Sequence, residues 1–115
     1  MSADRVTLTE IIDGPVTSID RVYGFERVRN LCRSTPRAVR RARTRLTAHP
    51  HPGAEGAVAE GTLMLDGDVI VCAGATATTM REAIDLLMLR LQYRLRRFEE
   101  PERDQPIGSL PVTAA

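Results

Sequence analysis

With 115 residues, 43% of them hydrophobic, the chain can bury one modest core but not two, and the composition argues for a folded protein. The longest uncharged apolar stretch, residues 69–77, falls far short of the ~20 residues a membrane-spanning helix needs. The formal net charge of +1 hides a segregation: all 16 basic residues are arginine. Arg27, Arg29, Arg33, Arg37, Arg40, Arg41, Arg43 and Arg45 lie between Glu26 and Glu55 with no acid among them, and Arg90, Arg94, Arg96 and Arg97 lie between Asp85 and Glu99. A GC-rich genome explains the absence of lysine but not this clustering. Guanidinium pairs with phosphate through a planar fork of donors, so massed arginines point to an anionic partner, most often nucleic acid.

In chain order, residues 5–12 alternate polar and apolar, which suits a first strand ended by Asp13-Gly14-Pro15. Thr17 or Ser18 can cap a helix starting near Ile19, with Val22, Phe25, Val28 and Cys32 on its apolar face and an end before Pro36. Residues 37–48 read two ways. As a strand they put Arg41, Arg43 and Arg45 in a comb on one face; as a helix they align Ala38, Ala42 and Leu46. Residues 57–66 and 68–75 are strand-like runs joined through Asp66-Gly67-Asp68, a hairpin signal. Thr79 and Glu82 form a capping box, after which Met80, Ile84, Leu87, Leu91, Leu95 and Phe98 repeat at helical spacing until Pro101. Arg90, Arg94 and Arg97 are expected on the opposite face of that helix. A single domain over residues 1–101 is expected, with residues 102–115 a disordered tail.

Cys32 and Cys72 have no CxxC spacing and are expected as buried, reduced thiols; with no signal-like start, the expected location is the cytoplasm. His49 and His51 lack further ligand types nearby, so no metal and no cofactor are expected. Nothing resembles a catalytic set or a glycine-rich phosphate loop, and an enzyme is not expected. Tyr23 and Tyr93 fit half-buried packing better than base stacking, and Asp85 fits pairing with a nearby arginine.

With residues 37–48 as a strand, the order is β-α-β-β-β-α. In that order, Thr62-Leu63-Met64-Leu65-Asp66-Gly67, the strand after it and Met80-Arg81-Glu82-Ala83-Ile84-Asp85 resemble the ribosome hibernation promoting factor family, also called ribosome-associated inhibitor A or sigma-54 modulation proteins. Arg90-Leu91, Arg94-Leu95 and Arg97 stand where that family has its Lys-Leu-x-Arg-Gln-Leu-x-Lys stretch, and Tyr23, Glu26, Arg27, Val28 and Leu31 fit its first-helix pattern. Arg81 stands where the family has an aromatic, Tyr93 where a basic residue is common, and Glu99, Glu100 and Glu102 where basic residues usually continue.

The resemblance implies an α+β fold similar to a double-stranded RNA-binding domain, two helices on one face of a four-stranded sheet, and it favours the strand for residues 37–48. It further implies a ribosome-binding translation inhibitor, a hibernation factor of the stress response. Such a protein occupies the messenger and transfer RNA channel of the small ribosomal subunit, with 16S ribosomal RNA and the 70S ribosome as partners and no membrane. The RNA-binding residues expected on that basis are Arg27, Arg41, Arg43, Arg45, Arg90, Arg94 and Arg97. The acidic residues 99–104 could instead pair with an arginine cluster, which motivates the alternative of a protein-interaction or self-assembling module, such as a homodimer. Binding to duplex RNA is a third expectation.

Overall fold

The computed structural model describes residues 6–49 and 56–99, with the side chains of residues 98 and 99 excepted. Its elements run β1 Thr7–Asp13, α1 Ser18–Ser34, β2 Val39–Ala48, β3 Ala57–Leu65, β4 Val69–Ala77 and α2 Met80–Glu99. The expected order β-α-β-β-β-α is the observed one, and residues 37–48 contribute a strand. The tail, the 50–55 loop with His51, and Arg5 at the expected start of β1 lie outside the described residues.

The punctuation follows from local chemistry. Thr17 accepts a hydrogen bond from the Asp20 backbone N–H at 3.1 Å and opens α1; Thr35 at its end is extended, as the residue before Pro36 must be. In the α2 capping box, Thr79 Oγ1 accepts from the Glu82 N–H at 3.2 Å. The Glu82 carboxylate is taken by the Thr78 hydroxyl at 3.0 Å rather than by the cap's own N–H. Gly67 and Asp68 both adopt positive φ, 86° and 61°, and reverse the chain between Leu65 and Val69.

The four strands lie in sequence order, β1-β2-β3-β4. β1 and β2 are parallel, which requires the long crossover that α1 supplies, and β2, β3 and β4 are antiparallel neighbours. A register shift between Val39 and Arg41 sets the phase of β2. From there Ala42, Thr44 and Leu46 are buried beneath the helices, while Arg41, Arg43 and Arg45 are exposed on the other face. No described element covers that second face.

Leu46, Leu63, Leu65, Ile84, Leu87, Met88 and Leu91 fill the core. Alanines at 42, 57, 59, 75 and 83, all nearly inaccessible, bring helix and sheet close together. The α1 face matches the expected one at Val28 and Cys32 and differs at Val22 and Phe25. Gly24, Val28, Leu31 and Cys32 are buried, whereas Val22 and Phe25 are 57% and 37% exposed. Gly24 is the reason: a Cβ there would stand 3.2 Å from Ile84 Cδ1, so the helix is rotated to press its glycine against α2, turning Val22 outward. Cys72 also departs from expectation. It lies on the open sheet face and is exposed, because the alternation of β4 sends Val71 inward.

Candidate nucleic-acid interface

The seven arginines singled out in the sequence occupy three places. Arg90, Arg94 and Arg97 are exposed and, at 100° per residue, share a sector about 60° wide on α2. That sector is a flank of the helix rather than its far side. Helix α2 packs on β3 and β4, and Arg90 Nη1 donates to the carbonyl of Gly74 in β4 at 2.6 Å. The sector pointing away from the sheet carries Glu82, Leu89 and Tyr93, the last two 61% exposed. Arg97 lies against Tyr93, 5.8 Å from its ring centroid. None of Arg90, Arg94, Arg96 and Arg97 has an acidic partner among the described residues.

Arg27 sits between the two helices in a polar clasp. The Tyr23 hydroxyl donates to Asp85 Oδ1, and Arg27 Nη2 lies 3.4 Å from the same oxygen. Arg81 covers the Tyr23 ring at 4.2 Å from its centroid, so a guanidinium stacks where the family it resembles has an aromatic. The hydrogen bond to Asp85 is the main cause pushing the Tyr23 phenol above its ordinary value, with burial adding to it. Asp85 thus pairs with an arginine, as expected, and Tyr23 has one ring face occupied by Arg81. The sequence singled out Arg81 only as a departure; its part in the clasp depends on how α1 and α2 lie together.

The comb on β2 is present, and its members differ. Arg45 is held by Asp13 through Nε and Nη2 at 3.0 and 2.8 Å, and Glu60 is its register partner on β3. Both the hydrogen bond to Asp13 and its charge push the Arg45 guanidinium further up. Arg40, exposed through the register shift, lies 3.8 Å from Asp66. Arg41 and Arg43 have no acidic partner among the described residues and line a shallow groove of about 330 Å³ with Thr7, Thr9, Thr62 and Met64. The helix set lies on the flank of α2 that borders the β4 edge and the comb lies on the open sheet face, so the two occupy different surfaces, and Arg27 is the member used to join the helices. Among the described residues no group of three or more His, Cys, Asp or Glu could hold a metal, and no helix is long and apolar enough to cross a membrane.

This geometry defines a small α+β domain whose surface chemistry is charge, with an arginine-lined helix flank on one side and an open sheet on the other. The same fold occurs in the N-terminal domain of Protein Y from Thermus thermophilus, with a TM-score of 0.63 and 23% identity over 78% of this chain and 94% of that one. It occurs also in a ribosomal subunit interface protein from Coxiella burnetii, with a TM-score of 0.61 and 17% identity over 81% and 94%. At these identities the likeness is one of fold. No protein-family model matches the chain, and no curated protein matches it in sequence.

Proposed function

We propose that this protein is a ribosome-binding translation inhibitor of the hibernation-factor type, acting in the cytoplasm by seating its folded domain in the messenger and transfer RNA channel of the small subunit. The observation that carries the reading is the flank of α2. Three arginines stand there, exposed and without acidic partners among the described residues, on a fold shared with a protein described as a ribosomal subunit interface protein. Arg90, Arg94 and Arg97 are the groups that would neutralise phosphates of 16S ribosomal RNA. Arg27 and Arg45, already holding Asp85 and Asp13, contribute less to that contact.

Contact of this kind is dominated by counterion release, so affinity should fall steeply with salt. The test is co-sedimentation with 30S and 70S particles across a salt series, with R90E/R94E/R97E beside the parent chain. The triple variant should lose binding at low salt, and the parent's log–log salt slope should exceed the variant's by about 2 to 3. A parent protein that stays in the supernatant at every salt concentration rejects the reading.

One observation favours a second reading, a self-assembling or protein-interaction module. Ile19, Val22 and Phe25 leave an apolar row exposed along α1, and Leu89 and Tyr93 are separately exposed on α2. Light scattering after size exclusion discriminates: a stable dimer without ribosome affinity supports the second reading and excludes the first.

A further inference from the structure

We propose that the open face of the sheet is a second RNA site, a groove that takes one single strand through two neighbouring phosphates, on a different surface from the α2 flank. This rests on the reading of the chain as an RNA-binding protein, but on different residues. The comb does not act as three equal teeth. Arg45 is closed off by Asp13 and faces Glu60 in the register, which caps one end of the face with compensated charge. Arg41 and Arg43 remain. The parallel pairing with β1 sets Thr7 beside Arg41 and Thr9 beside Arg43, and the antiparallel pairing with β3 sets Thr62 on the other side of Arg43.

The groove is therefore lined by two guanidinium forks and three hydroxyls, all able to donate, with no carboxylate among its lining residues. That is the complement of a phosphate's acceptor oxygens. Alternate residues on a strand stand about 6.7 Å apart, which is the order of the separation between adjacent phosphates along one nucleic-acid strand. Both arginines lie in line on β2, and the groove is only one strand wide on either side. A duplex would instead need donors spread over two separated backbones. Beside the arginines, Met64 pairs with Ile70, which is 56% exposed, and the two offer an apolar rest for a base.

The experiment is fluorescence anisotropy with a labelled twelve-residue oligouridylate, which forms no duplex, run beside the ribosome co-sedimentation. R41E/R43E is expected to weaken oligonucleotide binding at least about 10-fold and to flatten its salt slope by about 1.4, at about 0.7 per phosphate for a single strand. Thr62→Val keeps both charges and is expected to weaken binding about 2- to 10-fold, so a loss there does not depend on the double variant's folding. R90E/R94E/R97E should retain the oligonucleotide. Failure of ribosome binding alone, with oligouridylate still bound through Arg41 and Arg43, rejects the ribosome reading and leaves this site standing. Unchanged affinity in R41E/R43E overturns the proposal, as does a duplex of equal length that competes as well as the single strand. A change from dimer to monomer in R41E/R43E with unaltered oligonucleotide affinity also overturns it and gives the face to a second copy of the chain.

Discussion

Substituting Asp85 by alanine tests whether the clasp between the helices is structural. Asp85 Oδ1 accepts from the Tyr23 hydroxyl and faces Arg27 Nη2 at 3.4 Å, while Arg27 Nε is buried without a partner. The ion pair is half open to solvent, with side-chain exposures of 39% and 47%, so its share is held to under about 1 kcal/mol. The hydrogen bond to a charged acceptor contributes about 1.5–3 kcal/mol, and its loss also strands the phenol between the helices. Asp85→Ala is therefore expected to cost about 2–3 kcal/mol. In a domain of this size that lowers the melting temperature by roughly 10–20 °C. Urea denaturation of Asp85→Ala, Tyr23→Phe and the double variant should give a coupling energy of about 1 kcal/mol or more. Arg27→Ala should also destabilise, which a purely RNA-binding arginine would not. A cost for Asp85→Ala below about 0.5 kcal/mol, or strictly additive single effects, would refute the reasoning.

Two further outcomes follow from burial. Cys32 lies in the core with its thiol pushed up to about 11 by desolvation, whereas Cys72 is exposed on the sheet, so a thiol reagent at neutral pH should modify Cys72 alone in the native protein and both after unfolding. Rapid modification of both thiols in the native protein would contradict the packing of α1. Glu10 is partly buried under α1, and desolvation raises its carboxyl above the ordinary value against a smaller opposing pull from Arg21. The folded state then holds this proton more tightly than the unfolded one. The associated stability is present below the ordinary carboxylate range and is lost as pH rises through the raised value. Glu10→Gln should be more stable than the parent at pH 8 and nearly equal to it at pH 4. A difference independent of pH, measured by thermal melts, would count against this.

How far the fold was legible in the sequence varied with the kind of signal. Helix α2 was clear because its cap and its apolar repeat are local; the Thr79 cap holds, as does the repeat from Met80 to Leu95, while the side chain of Phe98 lies outside the described residues. Residues 37–48 could not be decided by periodicity, since small apolar residues at 38, 42 and 46 suit a helix as well as the inner face of a strand. Their state is set by pairing with β1 and β3, which is not local. On α1 the expected face of Val22, Phe25, Val28 and Cys32 left Gly24 out, and of those four Val28 and Cys32 are the buried ones. A glycine there is the contact itself, and Gly24, Val28 and Leu31 make a stripe at i, i+4 and i+7 once it is counted. The flank position of Arg90, Arg94 and Arg97 was missed because spacing alone says which residues share a side of a helix. It does not say whether that side faces solvent squarely or borders a sheet.

The arginine runs carry the same lesson in electrostatic form. A stretch free of acids in sequence is not free of them in space: Asp85, Asp66 and Asp13, all from other elements, come to Arg27, Arg40 and Arg45 of the first run. What survives of that run on the sheet is the pair Arg41 and Arg43. The second run behaves differently, for a reason that lies in the geometry of its own helix. At 100° per residue, Asp85 stands about 140° around α2 from Arg90, and Glu82 about 80° from it. Asp85 is turned towards α1, where Tyr23 and Arg27 hold it, and Glu82 is held by the cap residues Thr78 and Thr79. Glu82 and Asp85 are thus occupied away from the flank, so the helix can carry a capped, acidic first turn and still present Arg90, Arg94 and Arg97 without an acidic partner among the described side chains. Folding divides one diffuse basic character into a helix flank and a two-arginine groove on different surfaces, and each can be removed by charge reversal without touching the other.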